Sequence, residues 1–204
     1  MMKILIATKN LGKVKEIEAL SEEFFPLEEM SFLLLKSFEK QIEVEENGCS
    51  FYENAYIKAR EYSRFYKMPV IADDSGLVVP ALKGEPGIYS SRYAGENAKD
   101  EENIEKLLFH LKDIKEKKAY FQCSAVFYAS EKVVFHTEGR LIGEIIHEKR
   151  GEKGFGYDPV FFLPEKQMTL AEISLKEKNQ ISHRRQAFYS LFEKIKQWRE
   201  NESF

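Results

Sequence analysis

The residues best suited to chemistry in this sequence are Asp73 and Asp74, adjacent carboxylates within Ala72-Asp73-Asp74-Ser75-Gly76. Two neighbouring negative charges after an apolar run are costly unless something compensates them, and a divalent cation would do so. Oxygen-only ligands select a hard ion, and Mg2+ typically takes one or two carboxylates, several waters and substrate phosphates. Adjacent side chains on extended backbone point to opposite faces, so the two aspartates should have different jobs. The plainer reading is an Asp-rich turn whose side chains cap backbone N–H groups, and for Asp-Asp-Ser-Gly taken alone that reading ranks first.

Three other stretches carry groups that could act with this pair. Thr8-Lys9-Asn10-Leu11-Gly12-Lys13 offers hydroxyl, amide, ammonium and backbone N–H groups where a strand passes into a helix, a setting that suits phosphate. It is not a P-loop, because the leading glycine is missing and Val14 stands where Ser or Thr would bind magnesium. An ordinary capping turn, with Asn10 as the cap, accounts for it equally well. Gly151 to Pro159 sets Phe155 between glycines that let the backbone approach a flat ligand; a tight turn with Phe155 and Tyr157 in the core is the alternative. Lys178-Asn179-Gln180-Ile181-Ser182-His183-Arg184-Arg185 clusters cations and donors at the start of the last helical segment, where they could hold phosphate, read a purine edge, or form a basic surface turn.

The elements that must position these groups follow from hydrophobic spacing. Lys3 to Ala7 reads as a strand, and Val14, Ile17, Leu20 and Phe24 recur at helical intervals after it. A second helix is expected from Phe51 to Tyr66, with Phe51, Ala55, Ala59, Tyr62 and Tyr66 on one stripe and Ser50 and Glu53 forming a capping box. Val70-Ile71-Ala72 and Leu77-Val78-Val79 read as two extended runs separated by the acidic stretch, which places the acids at a strand break. Asn103 to Leu111 reads as a helix, Ala119 to Ala129 and Lys132 to Thr137 as paired strands, Val160 to Phe162 as a short strand, and Ser182 to Trp198 as a final helix. Strands and helices alternate without a repeat or long linker, which favours an α/β fold on one mixed sheet.

Composition narrows the partners. Lys and Arg number 31 against 34 Asp and Glu, a net charge of -3, so no global positive field exists to hold nucleic acid or an anionic membrane. The 16 Phe and 10 Tyr are first of all core residues, so position in a motif must decide which ring could stack on a ligand. Cys49 and Cys123 show neither Cys-x-x-Cys nor metal-ligand spacing, and no apolar run reaches the length of a signal h-region or a membrane span. A reducing cytoplasm is the expected compartment.

Taken in order, Thr-x-Asn-x-x-Lys near the N-terminus, Glu45 to Ala55, Ala-Asp-Asp-Ser-Gly-Leu, Gly-x-Pro-Gly-Ile-Tyr-Ser, Gly-Phe-Gly-Tyr-Asp-Pro and Ser-His-Arg make the chain resemble the inosine/xanthosine triphosphate pyrophosphatase family over nearly its whole length. Departures are small: Ser91 where Ala is frequent, Gln167-Met168 where Gly-Lys is, and Arg185 where Gly is usual.

That resemblance implies one domain over 1–204, a long curved mixed sheet whose helices form two lobes around a central cleft, a homodimer, and Mg2+ as cofactor. It implies hydrolysis of dITP, ITP and XTP to the monophosphate and pyrophosphate by water attack at the α-phosphorus. Asp74 would be the general base and a metal ligand, Glu45 a second metal ligand, and Asp73 a support. Thr8, Lys9, Asn10, Leu11, Gly12, Lys13 and Lys178 would hold the phosphates, and Ser75 would contact substrate. Phe155 would stack on the purine, with Gly156, Tyr157, Asp158, His183 and Arg184 shaping the base pocket. The neighbouring possibilities are a house-cleaning pyrophosphatase for modified pyrimidine or methylated guanine nucleotides, and a nucleotide-binding module without turnover.

Overall fold

The computed structural model describes residues 2–25 and 30–202. Seven strands among these residues are arranged in one sheet: β1 (Met2–Ile6), β2 (Met30–Leu34), β3 (Val70–Val78), β4 (Lys118–Ser130), β5 (Val133–Ile145), β6 (Phe161–Leu163) and β7 (Met168–Thr169), in the order β2-β1-β3-β4-β5-β6-β7. β1 runs parallel to β2 and to β3, while β6 is antiparallel to β5 and β7, so the sheet is mixed. Among the described residues five α-helices accompany it: α1 (Leu11–Phe24), α2 (Phe51–Tyr66), α3 (Asp100–His110), α4 (Leu175–Ile181) and α5 (His183–Glu202). The α/β expectation therefore holds. Among the described residues no helix is long and apolar enough to cross a membrane.

The chain divides into two compact units, neither of them continuous in sequence: Met1–Asp74 with Cys123–Gly139 and Arg184–Phe204, and Ser75–Gln122 with Arg140–His183. In the first, side-chain alternation along the strands builds two cores. Ile4, Ile6 and Ile71 pack with Cys123, Ala125 and Phe127 against α1 and α5, which contribute Val14, Ile17 and Leu20 and Ala187, Phe188, Leu191 and Ile195. The intervening residues Leu5, Ala7, Val70, Ala72, Val126 and Tyr128 face the other way and meet Ala55, Ala59 and Tyr62 of α2. This is the period-two rule of an extended strand covered on both faces. The second unit packs Leu77 and Val79 with Ile104, Leu107 and Leu111 of α3, together with Phe121, Tyr157, Val160 and Phe161.

Four sequence expectations change. Asp73 to Gly76 is not a strand break, because β3 is continuous from Val70 to Val78. β5 runs on to Ile145, well past Thr137. Lys178 lies in a separate helix, α4, started by a capping box between Ser174 and Glu177, and α5 begins only at His183. At the start of α2, Ser50 does accept from the Glu53 N–H, but the Glu53 carboxylate accepts from the Cys49 N–H at 2.6 Å, one residue outside the box.

Candidate active-site residues

Because β3 is extended through both acids, the alternation that sorts Ile71 from Ala72 also sorts Asp73 from Asp74. Asp73 follows Ile71 onto the face covered by α1 and α5. There Lys13 Nζ lies 2.9 Å from its Oδ2, and Arg184 Nε of α5 lies 3.6 Å from the same oxygen. Arg184 also pairs with Glu16 of α1, and all three of Asp73, Glu16 and Arg184 are buried. Burial alone would raise the Asp73 pKa, but Lys13 first and then Arg184 and Lys58 outweigh it and hold the carboxyl far below its ordinary value. The Cys123 thiol sits 3.8 Å from Asp73, and burial pushes its pKa up, so it stays a neutral thiol.

Asp74 follows Ala72 onto the α2 face. Asn54 Nδ2 donates to its Oδ2 at 3.0 Å, and Lys58 Nζ stands 4.0 Å from its Oδ1 while binding Glu46 Oε2 at 3.0 Å. Asn54 and Lys58 are four residues apart and so lie on one helix face. Asn54 also accepts from the Gly48 N–H at 2.9 Å, which ties the acidic segment before α2 to the same side chain that holds Asp74. Burial raises the Asp74 pKa; Lys58 and Lys13 lower it only in part, and Glu46 adds to the rise. The Lys58 ammonium, penalised by burial, is nevertheless held above its usual pKa by Asp74, Glu46 and Asp73. One aspartate is thus a fixed anion in a web of cations, and its neighbour is a carboxylate kept unusually basic.

The loop before α1 caps it. Asn10 Oδ1 accepts from the Lys13 N–H at 3.1 Å, and Thr8 Oγ1 accepts from the Asn10 N–H at 3.2 Å. Lys9 pairs with Glu43 at 3.2 Å, Leu11 is exposed, and Gly12 lies in the first turn, where helical N–H groups have no intrahelical acceptor. Glu45 is exposed and lines an open groove with Ile42, Val44, Asn47, Ile57 and Arg60, whereas Glu46 meets Lys58. Among the described residues no group of three or more His, Cys, Asp or Glu gathers to hold a metal ion. The carboxylates of Asp74 and Glu46, both near Lys58, have the oxygen chemistry of a hard cation that shares its shell with phosphates.

In the second unit the glycine-rich loop folds around Asp158. Gly154 and Gly156 take positive φ angles of 79° and 61°, and a Cβ on Gly154 would meet Asp158 Oδ2 at 2.0 Å. Asp158 Oδ2 accepts from the Phe155 N–H at 2.9 Å and is ion-paired with Lys178, whose ammonium lies 4.6 Å from the centroid of the Phe155 ring. The Gly156 N–H is bound by Asp100 of α3 at 2.6 Å. Tyr157 is buried with its hydroxyl on the Ser90 carbonyl, and the His183 ring stacks on Phe121 with centroids 5.0 Å apart. Ser75, on β3, is half-buried.

Of the residues singled out in the sequence, Lys13, Asp73, Asp74 and Arg184 come together in the first unit, and Phe155, Gly156, Asp158 and Lys178 in the second. Lys178 is buried against Asp158 and Phe155, and Arg184 against Glu16 and Asp73, which are the surroundings any role for them must start from. Sequence reasoning gave no role to Asn54, Lys58, Glu16, Ser90 and Asp100. For the first two a signal existed: polar residues at i and i+4 in register with the apolar stripe of a helix.

The comparisons agree with one another. The model of the Ham1 family matches residues 4–194. A protein of Bacillus anthracis named dITP/XTP pyrophosphatase is 44% identical, with 97% of this chain and 98% of that one covered. A protein of the same name from Aquifex aeolicus is 46% identical, with 96% and 97% covered. Among solved structures, a HAM1 protein from Coxiella burnetii superposes with a TM-score of 0.87 at 40% identity, covering 97% of this chain and 100% of that one.

Proposed function

The chain belongs to the Ham1 family, and from that membership we propose that it hydrolyses deaminated purine nucleoside triphosphates, dITP, ITP and XTP, to the nucleoside monophosphate and pyrophosphate. It is a nucleoside triphosphate pyrophosphatase whose work is to cleanse the nucleotide pool. The observation that carries the residue assignment is the pair Asp73-Asp74, adjacent in sequence and opposite in electrostatic environment.

Water attacks the α-phosphorus. Asp74 is the general base, with Asn54 fixing one of its oxygens and burial raising the pKa of the metal-free carboxyl. Asp73 serves by staying ionised, which holds Lys13 at the start of α1 beside the helical N–H groups that suit phosphate. Thr8 and Asn10 shape that turn, and Lys9, Leu11 and Gly12 present its main chain, with Ser75 a further substrate contact. Mg2+, held by Asp74 and by Glu45 or Glu46, supplies charge neutralisation of the phosphates when bound. Positioning and charge neutralisation are the main requirements of phosphoryl chemistry, and no covalent nucleophile is needed.

Phe155 stacks on the purine, with Gly156 and Asp158 forming the loop around it and Lys178 braced between the ring and Asp158. His183 and Arg184 read the base, the Arg184 guanidinium being fixed by Glu16 and Asp73. Hypoxanthine and xanthine carry a keto acceptor at purine position 6, where adenine carries an amino donor. Adenine leaves buried donors unpaired, at about 1–3 kcal/mol per group. The enzyme acts as a homodimer in the cytoplasm, a compartment consistent with two free cysteines.

The test is product analysis across dITP, ITP, XTP, GTP and ATP with Mg2+ or with EDTA. Pyrophosphate release is expected from dITP, ITP and XTP, with little from ATP and none in EDTA. Label from isotopic water is expected in the monophosphate. Release of inorganic phosphate in place of pyrophosphate overturns the mechanism, and equal turnover of ATP overturns the specificity.

A further inference from the structure

The stretch Gly84-Glu85-Pro86-Gly87-Ile88-Tyr89-Ser90 has no part in the chemistry above, yet Ser90 stands where buried contacts cross in the second unit. Its hydroxyl accepts from the Leu77 N–H at 2.9 Å and donates to the Gly87 carbonyl at 2.7 Å. Its own carbonyl accepts from the Tyr157 hydroxyl at 2.9 Å. The turn lies so close to β3 that a Cβ on Gly76 would meet Ser90 Oγ at 2.3 Å and the Gly87 carbonyl oxygen at 2.4 Å. One residue therefore grips the strand just after Ser75-Gly76 with its side chain and the Gly-Phe-Gly-Tyr loop with its main chain.

That loop needs holding. Two of its residues, Gly154 and Gly156, have the backbone freedom that only glycine enjoys without strain. Besides Lys178, which pairs with Asp158 beside the Phe155 ring, three side-chain contacts bear on it. Asp158 binds the Phe155 N–H from within the loop itself, Asp100 binds the Gly156 N–H at an exposed position, and the Tyr157 hydroxyl makes a buried tie to a separate segment. A buried tyrosine presents its ring to the core and its hydroxyl to a specific partner, so it fixes position as well as burying area. Here the ring packs with Leu77, Val160 and Phe161.

We infer that Tyr157 is a positioning residue for the Phe155 platform, acting through its hydroxyl on the Ser90 carbonyl, and that the Gly84–Ser90 turn is the strut that receives it. This assigns Tyr157 a task behind the base pocket, and it rests on the reading of Phe155 as the ring that stacks on the purine.

Tyr157→Phe keeps the ring and removes only the hydroxyl. Binding of inosine monophosphate, measured by calorimetry at 25 °C, is expected to weaken about fivefold to tenfold, while pyrophosphate affinity stays the same; in turnover, KM for dITP rises and kcat changes less than twofold. If Tyr157→Phe lowers Tm but leaves inosine monophosphate affinity at the parent value, the hydroxyl is merely structural and the inference is overturned. Phe155→Ala, measured in parallel, tests the reading beneath it: full nucleotide affinity in that variant removes the platform itself. If Phe155→Ala weakens binding and Tyr157→Phe does not, only the positioning role falls. In the double variant the Tyr157 change should add nothing to the loss from Phe155→Ala, and additive losses would place Tyr157 in contact with the ligand.

Discussion

Two identical side chains at consecutive positions behave as different chemical groups because a strand turns them to different neighbours. Asp73 meets Lys13 and Arg184, and Asp74 meets Asn54 and a more distant Lys58. The net burial penalty on ionised Asp74, which raises its pKa, is a cost the fold carries, and the proposed role of a base would account for it. Asp74→Asn removes it, since an amide can still accept from Asn54 through its carbonyl oxygen. The variant is expected to lose about 100-fold or more in kcat, and, in EDTA at pH 7, to melt at a higher temperature than the parent. Near-parent turnover of dITP would end the base assignment, and a lower Tm would show that the ionised carboxylate stabilises its surroundings.

At the scale of elements, α2 has the most to deliver, because Asn54 and Lys58 reach Asp74 from its first two turns. Its start is fixed by Ser50, whose hydroxyl accepts from the Glu53 N–H at 3.1 Å. Ser50→Ala should cost about 1 kcal/mol of stability in urea denaturation, with a larger proportional loss in kcat than in nucleotide affinity, because the frayed turn is the one carrying Asn54. The apolar stripe of α2 and its capping serine were both legible in the sequence. The continuous β3 was not: Asp-Asp-Ser-Gly has the composition of a turn, and what overrides it is the strand's place inside the sheet, between β1 and β4, together with the polar side chains that receive each acid. β2 escaped notice because Phe32-Leu33-Leu34 is an apolar run without alternation, which periodicity cannot assign. α4 went unassigned, because the capping box of Ser174 and Glu177 that starts it stands just before the basic run from Lys178, which reads as the approach to the final helix. Of the candidate site, the motif residues could be read off, Asn54 and Ser90 among them; what each touches could not, nor could Glu16 be singled out, since these contacts span at least 13 residues.

For the molecule as a whole, the buried charges make stability depend on pH in a way that follows from signs alone. Asp73 has a folded pKa below its unfolded value of about 3.9, so its contribution is present above that value and is lost as pH falls through the folded pKa. Asp74, with a raised pKa, works in the opposite sense and favours the folded state at low pH. Asp73→Asn should therefore be less stable than the parent at pH 7, with the gap narrowing steadily below about pH 4 when urea midpoints are compared down the scale; a constant gap would show that Asp73 acts by packing alone. The same cluster bears on how the protein is made. Glu16, Asp73 and Arg184 belong to one unit but leave the ribosome far apart in time, the acids early and the arginine with the last segment, which also brings Phe188, Leu191 and Phe192 to the core. Until that segment emerges, Lys13 is already made and can pair with Asp73, but Glu16 has yet to meet the guanidinium it pairs with in the folded unit. Translation that stops short of Arg184 thus leaves Glu16 without that guanidinium and the first unit without the apolar face that Phe188, Leu191 and Phe192 bring to its core.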